Sequence, residues 1–145
     1  MKKILFIAPH LSTGGLPQYL TKKIELIKDE FDVYVVEWVD CTGGRLVVTK
    51  NKILELVDNN KFFTLGEDKN ELFDVINKIT PDIIHLEEIP EYFMDDDIAR
   101  KLYSTNRKYF LVETSHDSSM NIDNKIFFPD KFMFVSNWQI EQYKN

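Results

Sequence analysis

Ile4-Leu5-Phe6-Ile7-Ala8-Pro9-His10, running on into Ser12-Thr13-Gly14-Gly15-Leu16-Pro17, is the stretch whose reading decides the fold. Ile4 to Ile7 are apolar without polar alternation, as expected for a central parallel strand covered on both faces. Gly14 and Gly15 remove two Cβ atoms where the chain must turn sharply and a ligand can come close. Pro17 suits the first turn of a helix, where its missing N–H costs nothing. Leu16, Leu20, Ile24 and Ile27 then recur at helical spacing, with Lys22, Lys23, Glu25 and Lys28 between them as a wet face. The pattern predicts strand, glycine loop and helix, with the helix N-terminus aiming its partial positive charge out of the loop. It is not the G-x-G-x-x-G fingerprint, and no P-loop Lys-Ser/Thr follows. Loops of this kind also occur in α/β domains that bind nothing there.

Working outward, a chain of 145 residues with 43% apolar and 13% aromatic content has the size and material for one domain with a real core. The net charge of −6, from 18 basic and 24 acidic residues without a polybasic run, disfavours nucleic acid as a partner. It also argues against tight binding to anionic membranes, leaving peripheral contact through a small amphipathic patch open. The single cysteine, Cys41, cannot form an intrachain disulfide, so nothing requires an oxidising compartment. Met1-Lys2-Lys3 precedes an apolar run that stops at Pro9-His10 with no small-residue cleavage site, which does not fit a secretory signal. No window approaches the ~20 apolar residues of a spanning helix. The expectation is a soluble, cytoplasmic chain.

Strands and helices alternate along the rest. Asp32 to Val39 reads as a second strand, turned by Thr42-Gly43-Gly44-Arg45, with Leu46-Val47-Val48 returning as a short hairpin arm. Asn51 suits the cap of a short helix carrying Ile53, Leu54, Leu56 and Val57, and Phe62 to Leu65 reads as a brief strand. Asp68 and Glu71 have capping-box spacing before Leu72, Ile76 and Ile79, and Pro81 ends that helix. Asp82 to Leu86 is a buried strand, Asp95 to Tyr103 a helix, Tyr109 to Glu113 and Phe132 to Val135 further strands. Ser136-Asn137-Trp138-Gln139 has the pattern of a final helix start. Repeated strand-helix-strand units with short connections call for a single Rossmann-like, doubly wound, mainly parallel α/β sheet over residues 1–145.

In such a sheet ligands bind beyond the carboxyl ends of the strands. The residues there are His10 with Gly14-Gly15, Glu87-Glu88, Thr114-Ser115-His116-Asp117, and Ser136-Asn137. Their convergence on one edge is more informative than any member. His116, in a polar turn after the strand, is the best candidate to hydrogen-bond a sugar hydroxyl; the plainer reading is a loop histidine bonded to its neighbours. His10 either shapes the turn after Pro9 or touches the ligand. His85, inside a strand, reads as a core histidine. Glu87 and Glu88 suit an acid/base pair, an acceptor contact, or two carboxylates facing water. Asp95-Asp96-Asp97 contains a D-x-D metal pattern, but acidic residues also favour a helix start without any metal. No His/Cys cluster has zinc spacing and no G-x-S-x-G elbow is present, so no metal or cofactor is expected.

Taken in order, Lys3-Ile4-Leu5-Phe6-Ile7-Ala8, Gly14-Gly15, Pro81-Asp82-Ile83-Ile84-His85, Thr114-Ser115-His116-Asp117 and Phe134-Val135-Ser136 resemble the N-terminal, acceptor-side domain of retaining GT-B glycosyltransferases. The resemblance spans essentially the whole chain, and its specificity lies in the order and spacing of short motifs. It implies that Gly14 and Gly15 approach the diphosphate of a nucleotide-sugar donor, with His116 at the donor sugar and Asp117 beside it. His10, Glu87, Glu88 and Ser136 would lie around the substrates. It also implies a sugar or glycan acceptor. The C-terminal donor-binding domain, which supplies the paired glutamates and the cations for the leaving diphosphate, has no counterpart in these residues. It would have to act in cis or in trans. The competing expectation is a non-catalytic doubly wound binding or regulatory domain.

Overall fold

A computed structural model describes residues 1–12, 14–41, 48–117 and 120–135. The strands are β1 (Lys2–Ala8), β2 (Phe31–Glu37), β3 (Phe62–Thr64), β4 (Ile83–Leu86), β5 (Phe110–Ser115) and β6 (Lys131–Phe134). The helices are α1 (Gly15–Ile27), α2 (Val48–Leu56), α3 (Glu71–Ile79), α4 (Pro90–Phe93) and α5 (Asp96–Leu102). The six strands form one sheet in the order β3-β2-β1-β4-β5-β6, and every pairing is parallel. This is the doubly wound, Rossmann-like order, with its reversal between β1 and β4.

The uninterrupted apolar run of β1 is explained by its two covered faces. Leu5 and Ile7 join Val36, Ile84, Leu86 and Leu111 beneath α3 and α5. Ile4, Phe6 and Ala8 join Val33, Val35, Leu20, Ile24 and Ile53 beneath α1 and α2. Leu5, Phe6 and Ile7 are wholly excluded from solvent, and each such side chain contributes about 1.5–3 kcal/mol through burial. Because side chains alternate along a strand, residues at odd and even positions of β4 report to opposite layers. The register places Phe6 beside His85 and Ile7 beside Leu86, so His85 and, two residues on, Glu87 belong to the α1 side.

Two local expectations change. The hairpin arm falls mostly on residues 42–47, outside the described residues, and Val48 itself begins α2 rather than ending a strand. The α3 cap is Asn70, not Asp68: the Asp68 carboxylate accepts from the Asn70 N–H at 3.0 Å, and Glu71 reaches back to the Gly66 N–H at 3.1 Å. The Asx turn at Asp68 takes that side chain before it can cap, so the helix starts two residues later. The sheet, expected to be mainly parallel, is so: no antiparallel pair occurs among the described residues. The expected final helix at Ser136 lies outside the described residues. Among those described, no helix is long and apolar enough to cross a membrane.

Candidate functional site

The glycine loop and the β5 end meet at the same sheet edge, and the contact is made by α1. Tyr19, one turn into α1, sets its ring edge-on to His116 at 4.9 Å between centroids and 80° between planes. Gly14 adopts φ 96°, ψ −174° as the α1 cap, a left-handed backbone that favours glycine. Gly15 is the first helical residue, and a Cβ added there would meet nothing within 4 Å. No side chain caps this helix end and its first turn holds no acidic residue, so among the described residues its dipole is uncompensated.

Glu87 is the centre of the site. Its N–H donates to the Ile7 carbonyl at 2.8 Å, continuing the pairing past the end of β4 and turning its side chain toward α1. The side chain is fully buried, and its two oxygens are divided. Lys23 Nζ donates to Oε1 at 2.5 Å, and His116 Nε2 lies 3.1 Å from Oε2. Burial alone pushes the Glu87 carboxyl up. The His116 hydrogen bond and the charge and hydrogen bond of Lys23 outweigh it and hold the group below the usual carboxylate range. Burial lowers Lys23, with Glu87 opposing. The Lys23 ammonium also lies 4.5 Å from the Tyr19 ring centroid and 5.7 Å from that of Phe6.

Glu88 points elsewhere. Its Oε1 accepts from the Ile89 N–H and its Oε2 from the His116 N–H, both at 3.0 Å, and burial raises its carboxyl. The two neighbouring glutamates therefore hold one residue, Glu88 by its backbone and Glu87 by its ring. His85 is a core histidine as the sequence suggested. Nε2 pairs with Thr114 Oγ1 at 2.7 Å, the ring lies against Phe6, and burial takes its pKa down to about 4. His10 bonds locally through Nδ1 to Ser12 Oγ at 2.9 Å. Asp117 sits half-buried beside His116, its N–H donating to Ser115 Oγ at 3.3 Å. Ser136 lies outside the described residues.

Sequence reasoning missed Lys23 and Tyr19, reading Lys23 as part of the wet face. The available signal was positional. Leu16, Leu20, Lys23 and Ile27 form an i, i+4, i+7, i+11 row, so Lys23 occupies an apolar-stripe position and needed a buried partner. Glu37 was missed too. It ends β2, where dinucleotide-binding sheets of this topology present a ribose-binding acid. Here it is wholly buried, accepting from the Leu11 N–H at 2.9 Å, Lys50 Nζ at 2.8 Å and Thr64 Oγ1 at 3.1 Å. Its carboxylate anchors the loop that leads to the glycines, and no oxygen is turned to a ribose.

A groove of about 470 Å³ runs between α1 and α2, lined by Gly15, Gln18, Tyr19, Lys22, Thr49 and Lys52. It shares Gly15 and Tyr19 with the site, whereas Lys23, Glu87 and His116 are not among its lining residues. Among the described residues no group of three or more His, Cys, Asp or Glu side chains is arranged to hold a metal ion.

No family model and no curated protein matches the chain. Among solved structures, the crystal structure of the conserved protein TT1542 from Thermus thermophilus is similar, at 13% identity and a TM-score of 0.46. The match takes in 92% of this chain and 66% of that one, so this chain spans slightly less than two thirds of that chain's length. A likeness at this level carries no functional reading.

Proposed function

We propose that this chain is the acceptor-side half of a glycosyltransferase that moves a sugar from a nucleotide-sugar donor, and that it is incomplete by itself. The observation that carries the reading is the Tyr19–His116 contact, which ties the glycine loop and the imidazole to one edge of a doubly wound sheet. Gly14 and Gly15 would bring bare backbone and the unopposed α1 dipole to the donor diphosphate. His116, with 17% of its side chain exposed, would meet a sugar hydroxyl. Lys23, which shares the Glu87 carboxylate with His116, is bound to Glu87 and does not offer its charge to a leaving diphosphate. A facing domain in cis or in trans has to supply that charge, because glycosyl transfer needs preorganised cations in a water-excluded cleft. The reading includes a cytoplasmic setting, in which the exposed free thiol of Cys41 stays reduced. It includes neither a metal nor nucleic acid.

One observation favours the second reading, a binding or regulatory domain without transferase chemistry. Glu87 and Glu88, the carboxylates hydrogen-bonded to His116, are both held by internal donors. A single titration separates the readings. Nucleotide sugars added to the ¹⁵N-labelled chain should shift the amides of Gly14, Gly15 and His116 weakly, with a Kd on the order of 1 mM. No nucleoside diphosphate should be released until a donor-binding domain is added. Shifts confined to other edges, or none with any donor, would overturn the transferase reading. Turnover by this chain alone that vanished in His116→Gln would overturn its incompleteness.

A further inference from the structure

We propose that Glu87, clamped by Lys23, is the positioning residue of His116: it holds the ring proton on Nε2, so that Nδ1 is the imidazole's acceptor for a ligand hydroxyl. The inference rests on the transferase reading only for the kind of ligand; the positioning itself follows from the geometry.

An ionised carboxylate can only accept hydrogen bonds. Glu87 Oε2 lies 3.1 Å from His116 Nε2, so that nitrogen must bring the hydrogen. Lys23 makes the argument binding. Its ammonium, 2.5 Å from Oε1, keeps a wholly buried carboxylate charged, and a charged carboxylate cannot turn round and donate to the ring. Lys23 in turn cannot swing away cheaply. It is 15% exposed, and its charge lies over the Tyr19 ring that also edges His116. His85, the other titratable ring facing Glu87, lies 3.6 Å from Oε1 and is engaged with Thr114. Glu88 fixes the backbone of the same residue through its N–H. The imidazole is therefore held at its ring nitrogen, its main chain and one face.

A fixed tautomer decides what the ring recognises. With the proton on Nε2, a neutral His116 offers a lone pair at Nδ1, which pairs with an O–H donor and not with an anionic oxygen. A hydroxyl of a sugar ring fits; a phosphate oxygen does not. The division of labour at this edge is then clear: the glycine loop suits the anion and His116 suits the hydroxyl.

The test reads the tautomer directly. The chain is labelled with ¹⁵N in its three histidine rings, and the His116 signals are assigned by their loss in His116→Gln. In the wild type at pH 8, Nε2 should carry the protonated-type shift and Nδ1 the lone-pair type. In Lys23→Met/Glu87→Leu, which replaces the ion pair by apolar side chains, both shifts should move toward their tautomer average. Unchanged His116 shifts in the folded double variant would overturn the proposal. Should that variant fail to fold, Glu87→Gln gives the second reading. Its side-chain amide can donate to Nε2, so a population protonated at Nδ1 should appear, and its absence would equally overturn the proposal. Because no donor or acceptor is present, a negative result leaves the transferase reading standing. A positive one survives even if no transfer is ever found.

Discussion

Replacing Lys23 by methionine should be among the most damaging single changes at this sheet edge, although the substitution is apolar for polar on a helix. Glu87 has no exposed side-chain surface and Lys23 has 15%, so the pair is a buried one. Methionine keeps an unbranched stem of similar length in the same place, so the main loss is the charge. What remains is a carboxylate in the interior with His116 as its one strong donor. Removing one partner of a buried pair typically costs about 3–5 kcal/mol, and the surviving His116 bond points to about 3 kcal/mol here. For a chain of this length that is a fall on the order of 10 °C in Tm. The loss should narrow as pH falls, because the orphaned carboxyl can then take a proton. In the wild type the sign is opposite. Glu87 is held below its usual value, so its contribution is present above pH 4.5 and is lost as pH falls through the folded value. Lys23→Met/Glu87→Leu, which leaves no orphaned charge, should return to within about 1 kcal/mol of wild type. Urea and thermal unfolding of the single and double variants make the measurement. A single variant that loses less than about 1 kcal/mol would refute the buried-pair argument. A double variant as unstable as the single one would refute it too.

Three further outcomes are expected. His85 has a pKa of about 4 in the folded chain against 6.5 unfolded, so its contribution is complete above pH 6.5 and declines as pH falls from 6.5 toward 4, with about 2 kcal/mol gone by pH 5. Urea midpoints at pH 7 and 5 should show that decline, and His85→Gln should flatten it. Gly14→Ala should cost about 1 kcal/mol because of the left-handed φ of 96°, whereas Gly15→Ala, with open space at its Cβ, should be neutral or slightly stabilising in thermal melts. If the transferase reading holds, then in a protein that pairs this chain with a donor-binding domain Gly15→Val should melt near wild type yet lose donor use, measured as nucleotide release. A variant that unfolds or keeps full activity would make the glycine purely structural or irrelevant.

The alternation of unbroken apolar strands with amphipathic helices was enough to establish a doubly wound parallel sheet, because each strand must be covered on both faces and each helix has one stripe to bury. Ile4 to Ile7 already implied the position of β1, and Leu72, Ile76 and Ile79 that of α3. The candidate edge was legible as well, since residues just past strand ends share it whatever the strand order. Partnership within that edge was not legible. Glu87 and Glu88 are adjacent in sequence and read as a pair, yet pleating turns one toward Lys23 and the His116 ring and the other toward the His116 backbone. Lys23 looked solvated because helical periodicity identifies a face and not what waits opposite it. Asp68 had capping-box spacing, but a local Asx turn took its side chain first. Sequence spacing determines which residues reach one layer or one edge. Which of them pair depends on the register of β1 with β4 and on the packing of α1 across the sheet, contacts between residues more than sixty positions apart that only the folded chain brings together.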